Sequence, residues 1–191
     1  GTTLLDAGAL SVATGAMTLL STVTASSSAT VSFASGITST YKEYIFKFYD
    51  VHPSADAADL TVNFRDGSSA YDATKTSSFF WAYHDEADSD TTLNYASSND
   101  LAQGTGVQPI SSNPGNDNDQ ACSGTLHLFD PASTTFVKHF IATSNSTEPA
   151  NYSINSRAAG YCNVTAAIDG VQFKFESGNI DSGTFKMYGV K

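Results

Sequence analysis

Hydrophobic and polar residues alternate with a period of two along much of this chain, most clearly after its first forty positions. In the segment YKEYIFKFYDV, Tyr44, Phe46 and Phe48 fall on one side of an extended backbone, and the residues between them fall on the other. Successive side chains of a β-strand point to opposite faces of the sheet, so this pattern predicts a strand with one buried face. The segment DLTVNFRDG repeats the pattern and ends at Asp66-Gly67, a dipeptide typical of a tight turn.

Further strand candidates follow at short intervals, separated by Gly, Pro, Asn and Asp residues that favour turns. They are MTLLSTVT, ATVSFA, SSFFWAYH, TGVQPI, SGTLHLFD, TTFVKHFIAT, NYSINSRAAGYC, DGVQFKFES and GTFKMYGV. No window holds a 3.6-residue apolar period beyond two turns, which argues against a helical or α/β architecture. Eight to eleven short strands predict an all-β fold, an antiparallel sandwich of two sheets.

The stretch from about Asp85 to Ser123 bears on how the strands are connected. It is mostly polar and holds one or two weak strands. Long excursions of this kind suit Greek-key crossings between two sheets better than a simple meander. Within the sandwich class, we therefore favour a jelly-roll-like order of strands.

The first fifteen residues, GTTLLDAGALSVATG, are too apolar for a free linker and too irregular for a long helix. We predict an N-terminal extended arm over 1–15 and a single β-sandwich domain over 16–191. Leucines that find no partner in their own domain commonly dock on a neighbouring chain. The predicted partner contacts are therefore Leu4, Leu5, Leu10 and Val12, and the alternative is that these side chains pad the edge of the domain itself.

Length and charge narrow the classes of function. A chain of 191 residues is the size of one well-buried domain. Its 9 Lys+Arg against 19 Asp+Glu leave a formal net charge of −10, which disfavours binding to nucleic acid or to a membrane surface. No segment reads as a secretory leader or approaches the roughly 20 apolar residues of a membrane span.

Cys122 and Cys162 are the two cysteines, and each lies in a strand-like segment. A lone strand cysteine is most often a small buried hydrophobe, so we expect two free thiols, with a disulfide as the alternative.

Acidic and amide clusters are the first candidates for chemistry. His84-Asp85-Glu86, followed by Asp88 and Asp90, reads as a solvated loop, because adjacent carboxyls point apart instead of facing each other across a cleft. Asp117 and Asp119 in SSNPGNDNDQ are weak calcium candidates, since carboxylate and amide oxygens suit that ion. The segment lacks the spacing of a calcium loop, and a structural turn is the favoured interpretation.

Catalytic and metal motifs are not found elsewhere in the sequence. His52, His84, His127 and His139 occur without the close pairing that zinc sites use. There is no G-x-S-x-G elbow and no phosphate-binding glycine loop. We therefore predict no catalytic residues, no cofactor and no enzymatic activity.

Aromatic residues are the feature least easily explained by the core alone, with 12 Phe, 9 Tyr and 1 Trp. Sugar-binding modules use exposed Trp or Tyr side chains as platforms, and Trp81 and Tyr95 are the candidates for such a glycan platform. The neighbours Phe79, Phe80 and Tyr83 favour core placement of at least one face of this strand.

Several segments together resemble β-rich virion structural proteins of tailed bacteriophages of aquatic bacteria. They span roughly residues 19–191. They are STYKEYIFKFYDVHPSAD, TSSFFWAYHDEAD, AQGTG, PGNDNDQ, GTLHLFDP, TTFVKHF and AIDGVQFKFESGNIDSGTFKMYGVK. The most recognisable part is the ending FKFESGNIDSGTFKMYGVK, two strands joined by SGNIDSG. The resemblance implies a head or tail structural role in the virion, and it brings no catalytic residues.

From these observations, the sequence predicts a capsid decoration (cement) or head-fibre protein that stabilises the particle through oligomer contacts. The expected partners are other capsid or tail proteins and further copies of the chain, most simply in a homotrimer. The alternative is a tail-fibre or receptor-binding module that binds carbohydrate. A polysaccharide-degrading enzyme would need two carboxyls about 5 to 9.5 Å apart across a groove.

Overall fold

The structure, a computed structural model, describes residues 16–191 and consists of twelve strands and one short 3₁₀ turn. The strands are β1 (Met17–Ser28), β2 (Val31–Phe33), β3 (Glu43–Pro53), β4 (Leu60–Arg65), β5 (Lys75–Asp85), β6 (Thr91–Tyr95), β7 (Gln108–Ser111), β8 (Cys122–Phe129), β9 (Lys138–Thr147), β10 (Tyr152–Cys162), β11 (Gly170–Phe175) and β12 (Ile180–Val190). The 3₁₀ turn, Ser97–Asn99, follows β6. Leu4, Leu5, Leu10 and Val12 of the predicted arm lie outside the described residues.

The strands form two antiparallel sheets, which confirms the predicted all-β, two-sheet class. The large sheet has eight strands in the order β1-β12-β3-β8-β9-β10-β5-β6, and the small sheet has four in the order β2-β11-β4-β7. The strand pairing is nested: β1 pairs with β12 in the large sheet, and β2 pairs with β11 in the small sheet. Consecutive strands along the chain therefore cross repeatedly between the two sheets.

The alternation in β3 is confirmed by burial. Tyr44, Phe46 and Phe48 are fully enclosed between the sheets, whereas Ile45 and Lys47 are half-buried on the opposite face. The alternation breaks at Tyr49 and Asp50, which are both exposed, because the pairing of β3 with β8 shifts between Phe48 and Val51. Such a bulge inserts an extra residue and bends the strand.

Phenylalanines dominate the space between the sheets. Phe173 of the small sheet lies 6.4 Å from Phe48 and 5.1 Å from Phe185 of the large sheet, measured between ring centroids. Phe64 meets Phe140 at 5.1 Å in the same way. Tilted aromatic pairs at these distances add to the free energy gained by apolar burial, so the aromatic core joins the two layers.

Two lysines are also fully buried, and each has hydrogen-bond partners. Lys75 donates to Asn63 Oδ1 at 2.5 Å and to the carbonyl of Ala73 at 2.7 Å. Lys138 donates to the carbonyl oxygens of Val164 and Ala166. Burial lowers the pKa of Lys75 to about 8, because it penalises the charged ammonium.

The two sheets differ in width, and this difference creates a step at one end of the molecule. β7, the edge strand of the small sheet, packs against β9, β10 and β5 of the large sheet. β6 lies outside β5 and forms the edge of the large sheet, and among residues 16–191 no strand of the small sheet lies beyond β7 to cover it. Across residues 16–191, no helix is present that has the length and apolar character needed to cross a membrane.

Candidate functional site

The candidate site lies at this step, on the inward-facing row of β5. Positions 75, 77, 79, 81 and 83 share one face of the strand because side chains alternate. Phe79 is fully buried under the small sheet. Trp81 and Tyr83 continue the same row but are only partly buried. The core face of the large sheet therefore becomes a surface where the small sheet ends.

Two adjoining hollows, of about 430 Å³ and 150 Å³, open over this surface. Trp81, Ser112 and Asn113 line both, so we treat the hollows as one feature, the Trp81 groove. The other residues of the larger hollow are Asp59, Asn94, Tyr95, Ala96, Ser97, Ser98 and Asn99. Those of the smaller one are Tyr83, Glu148, Tyr152 and Ile154.

The aromatic residues of the groove form a packed row. The rings of Trp81 and Tyr83 are stacked, with centroids 5.5 Å apart and planes 20° from parallel. Tyr83 in turn contacts Tyr152 of β10, with centroids 4.8 Å apart. Each ring packs against the next, which restricts the rotamers open to the Trp81 indole.

Asp59, Asn94, Asn99 and Asn113 form the polar wall of the groove, and Asp59 holds part of it in place. Asp59 is 8% exposed, and its carboxylate accepts hydrogen bonds from the backbone N–H of Asn113 at 2.8 Å and from Asn99 Nδ2 at 3.0 Å. Asn113 has a φ of 45°, a left-handed conformation that Asn tolerates better than most residues. Burial raises the pKa of Asp59 to about 6, with the nearby charge of Glu176 also raising it, against the two hydrogen bonds.

The amide side chains of Asn94 and Asn113 are exposed in the groove. Within residues 16–191, neither side-chain amide has a hydrogen-bond partner. Asn94 lies directly across from Trp81 in the pairing of β5 with β6. Each amide offers one carbonyl acceptor and two N–H donors, so the wall can bond groups of either kind.

The two residues predicted as a glycan platform both line the groove, but in different ways. Trp81 belongs to its aromatic row. Tyr95 lies at the end of β6, pairs with Phe80 on the other face of the sheet, and donates its hydroxyl to Asp100 Oδ2 at 2.5 Å. The platform role itself stays a prediction.

Sequence reasoning missed most of the polar wall and part of the aromatic row. Asp59, Asn113 and Tyr152 come from three separate connections or strands and meet at the groove only through the fold. Tyr83 could have been found, because Trp81 and Tyr83 are two positions apart on a predicted strand and must share a face.

The calcium candidates Asp117 and Asp119 lie in an exposed turn, closed by the hydrogen bond from Gln120 N to the Asp117 carbonyl at 2.8 Å. Asp119 also lines a separate hollow of about 410 Å³ with Asp50 and Asp181. In the described part of the chain, no three His, Cys, Asp or Glu side chains are grouped so that they could hold a metal ion. The segment forms a turn, and the calcium role of Asp117 and Asp119 stays a prediction.

The acidic loop after β5 is also a turn. Asp85 Oδ1 accepts the backbone N–H groups of Ser89 at 2.8 Å and Asp90 at 3.0 Å. The hydrogen bonds from Ser89 and Asp90 lower the pKa of Asp85 to about 2. The carboxylate caps the connection between β5 and β6, as expected for a loop residue.

Cys122 and Cys162 are free thiols buried in the core. Burial raises the pKa of each to about 12, so both stay protonated at neutral pH.

His127 and His139 have different neighbours. His127 Nδ1 lies 2.6 Å from Glu43 Oε1, and the His139 ring packs beside Tyr161.

Comparison with known proteins finds no relative: no protein-family model, no curated protein and no solved structure matches this chain.

Proposed function

We propose that this chain is a structural component of a tailed bacteriophage virion, of the capsid decoration (cement) or head-fibre kind. The observation that carries the proposal is the fold, two sheets joined by an aromatic core. This domain spans the same residues, about 19–191, along which the sequence resembles such proteins. A rigid, densely packed domain suits a particle part that must keep its shape outside the cell.

The strand order supports a jelly roll within the sandwich class. β1 pairs with β12 in one sheet while β2 pairs with β11 in the other, and β3 and β4 continue inward in the same two sheets. Nested pairing of early strands with late ones, alternating between sheets, is the arrangement that two Greek keys produce. β5, β6, β9 and β10 extend the large sheet beyond this nested set.

Exposed apolar side chains at the β5–β6 edge support contacts between copies of the chain. Phe80 is 40% exposed, Leu93 74% and Tyr95 59%, and the strand pairing places all three on the outer face of the sheet. We call this set the Phe80 patch. Exposed clusters of large apolar residues, and edge strands with open backbone groups, are typical of surfaces that meet another protein. We infer a homo-oligomer, most simply a trimer, that uses the Phe80 patch.

Attachment to the particle is assigned to the predicted arm, through Leu4, Leu5, Leu10 and Val12. Removing residues 1–15 tests this, because the sandwich of residues 16–191 keeps its own core. We expect the truncated chain to fold but to bind depleted particles far below full occupancy, as measured by quantitative gel or mass spectrometry of washed particles. Full occupancy without the arm would contradict the assignment.

A receptor-binding module at a fibre tip is the second candidate function, and the Trp81 groove is the observation that favours it. Both candidates are structural parts of the virion, and neither requires catalysis. They differ in location, on the shell or at the end of a fibre.

A further inference from the structure

We propose that the Trp81 groove binds a neutral saccharide, with one sugar ring stacked on the Trp81 indole and its hydroxyls hydrogen-bonded by Asn94 and Asn113. This ligand assignment rests on the second candidate function and names its ligand class.

The aromatic row supplies the apolar part of such a site. A pyranose ring has one or both faces covered by C–H groups, which pack against a flat ring and gain from leaving water. Trp81 borders both hollows and is held by Tyr83 and Tyr152. A surface that is already ordered loses little conformational entropy on binding, so the stacking energy is largely retained.

The polar wall supplies the directional part. Sugar hydroxyls act as donor and acceptor together, and amide side chains match both roles. Asn94 and Asn113 have unused amide groups in the described chain, and Asp59 fixes the backbone at Asn113. A polar site whose groups stand ready selects ligands that carry hydroxyls over purely apolar ones.

Charge decides which saccharides fit. Asp59 and Glu148 line the groove, and no Lys or Arg is found among its lining residues within 16–191. A carboxylate on the sugar would face these acids without a cation to pair with it, and like charges at a binding surface discriminate against a ligand. Neutral hexoses and N-acetylhexosamines are therefore favoured over sialic acids and uronates.

The volume agrees with this ligand class. The larger hollow, of about 430 Å³, accommodates one or two sugar rings, and the smaller one extends it past Tyr83 toward Glu148. The groove thus suits the end of an oligosaccharide chain more than a buried monosaccharide.

The first experiment is an array of neutral, sialylated and uronate oligosaccharides, probed with the full-length chain. We expect binding to neutral members and none to the acidic ones. Trp81 is the only tryptophan in the chain, so titrating the bound oligosaccharide should change the intrinsic fluorescence directly. No binding to any neutral member, or binding to acidic members alone, would overturn the assignment.

Variants then locate the site. Trp81→Ala should weaken binding at least about tenfold, as for a central aromatic contact. Asn94→Ala, at an exposed position, should weaken it severalfold and covers the case in which the Trp81 variant fails to fold. Phe136→Ala is the matched control, a 70% exposed aromatic outside the groove, and should bind normally. Equal binding by the Asn94 variant and the natural chain would place the ligand elsewhere.

Absence of glycan binding leaves the structural virion role intact, because that role is tested by location in the particle.

Discussion

Asp59 shows how a single buried carboxyl shapes the groove. It stands beside the start of β4, nearly inaccessible to solvent, and holds both Asn99 and the backbone of Asn113. Burial penalises the ionised form more than these two hydrogen bonds favour it, and the pKa accordingly rises to about 6. Between pH 3.8 and about pH 6, the folded protein therefore keeps a proton that the unfolded chain would release.

The pH dependence of stability follows from this shift. Between the ordinary pKa of 3.8 and the folded value of about 6, the folded state binds more protons than the unfolded state, so Asp59 contributes stability at low pH that is lost as pH rises. Asp59→Asn removes this dependence. Relative to the natural chain, we expect the free energy of unfolding of the variant to rise between pH 4 and pH 7 by up to about 3 kcal/mol.

Urea unfolding followed by circular dichroism at several pH values measures this difference. Asn118→Ala, at an exposed turn position with no ionisable side chain, is the control and should keep a constant offset from the natural chain. Parallel pH curves for the natural chain and the Asp59 variant would show that the carboxyl is not perturbed in the fold.

At the scale of elements, two strand glycines allow neighbouring aromatic rings to lie flat on the large sheet. Gly124 of β8 pairs with Phe48 of β3, and Gly160 of β10 pairs with Phe140 of β9. A Cβ on Gly124 would lie 2.6 Å from Phe48 Cζ and 2.8 Å from Ser144 Cα. A Cβ on Gly160 would lie 2.8 Å from Phe140 Cζ. Glycine at these positions leaves room for the ring, which in turn covers the exposed backbone.

Gly124→Ala should therefore destabilise the sandwich by about 1 to 3 kcal/mol through overpacking, since Phe48 and the β9 backbone would both have to shift. The measurement is the midpoint of urea unfolding. Gly106→Ala is the matched control, because its nearest contact would be Leu101 Cδ2 at 3.8 Å. A Gly124 variant as stable as the Gly106 variant would mean that the ring does not lie over the glycine.

The elements themselves were largely predictable from the sequence. Period-two alternation located the strands around Phe46 and Val62 because one face of each is buried in the core. The number of strands was underestimated: the structure has twelve, against eight to eleven predicted. On β4, the polar residues Thr61 and Asn63 are also buried. Thr61 donates to the Lys174 carbonyl, and Asn63 accepts from Lys75 and donates to the Thr105 carbonyl, so their polar groups are satisfied inside the protein. The alternation along one strand does not show whether other parts of the chain bury its polar face as well.

The site was predictable only in part, for a similar reason. Trp81 stood out because it is the only tryptophan and lies on a strand. Its partial exposure depends on where the small sheet ends, and sheet width is set by long-range pairing of strands far apart in sequence. The meeting of Asp59, Asn113 and Tyr152 depends on the same pairing.

At the scale of the whole molecule, the unequal sheets give the β5–β6 end two surfaces. The inner face of these strands forms the Trp81 groove, and the outer face carries the Phe80 patch. A contact between copies on the outer face would leave the groove on the inner face open to a ligand. The two proposed contacts would therefore lie on opposite faces of the same strands, with Tyr95 at the border between them.

Leu93→Glu tests the assembly surface. The side chain is 74% exposed, so the charge should leave stability unchanged and should shift the oligomer toward monomer in sedimentation velocity. Thr24→Glu, exposed on β1 at the opposite edge of the large sheet, is the control and should keep the native assembly. An oligomer unaffected by Leu93→Glu would place the contact between copies elsewhere on the molecule.

A reconstruction of purified virions that carry this chain, with mass spectrometry of the same particles, tests the structural role most directly. We predict that the chain copurifies with intact particles and that the two-sheet domain fits symmetry-related density on their outer surface. A chain that is made during infection but is missing from washed particles would contradict the role.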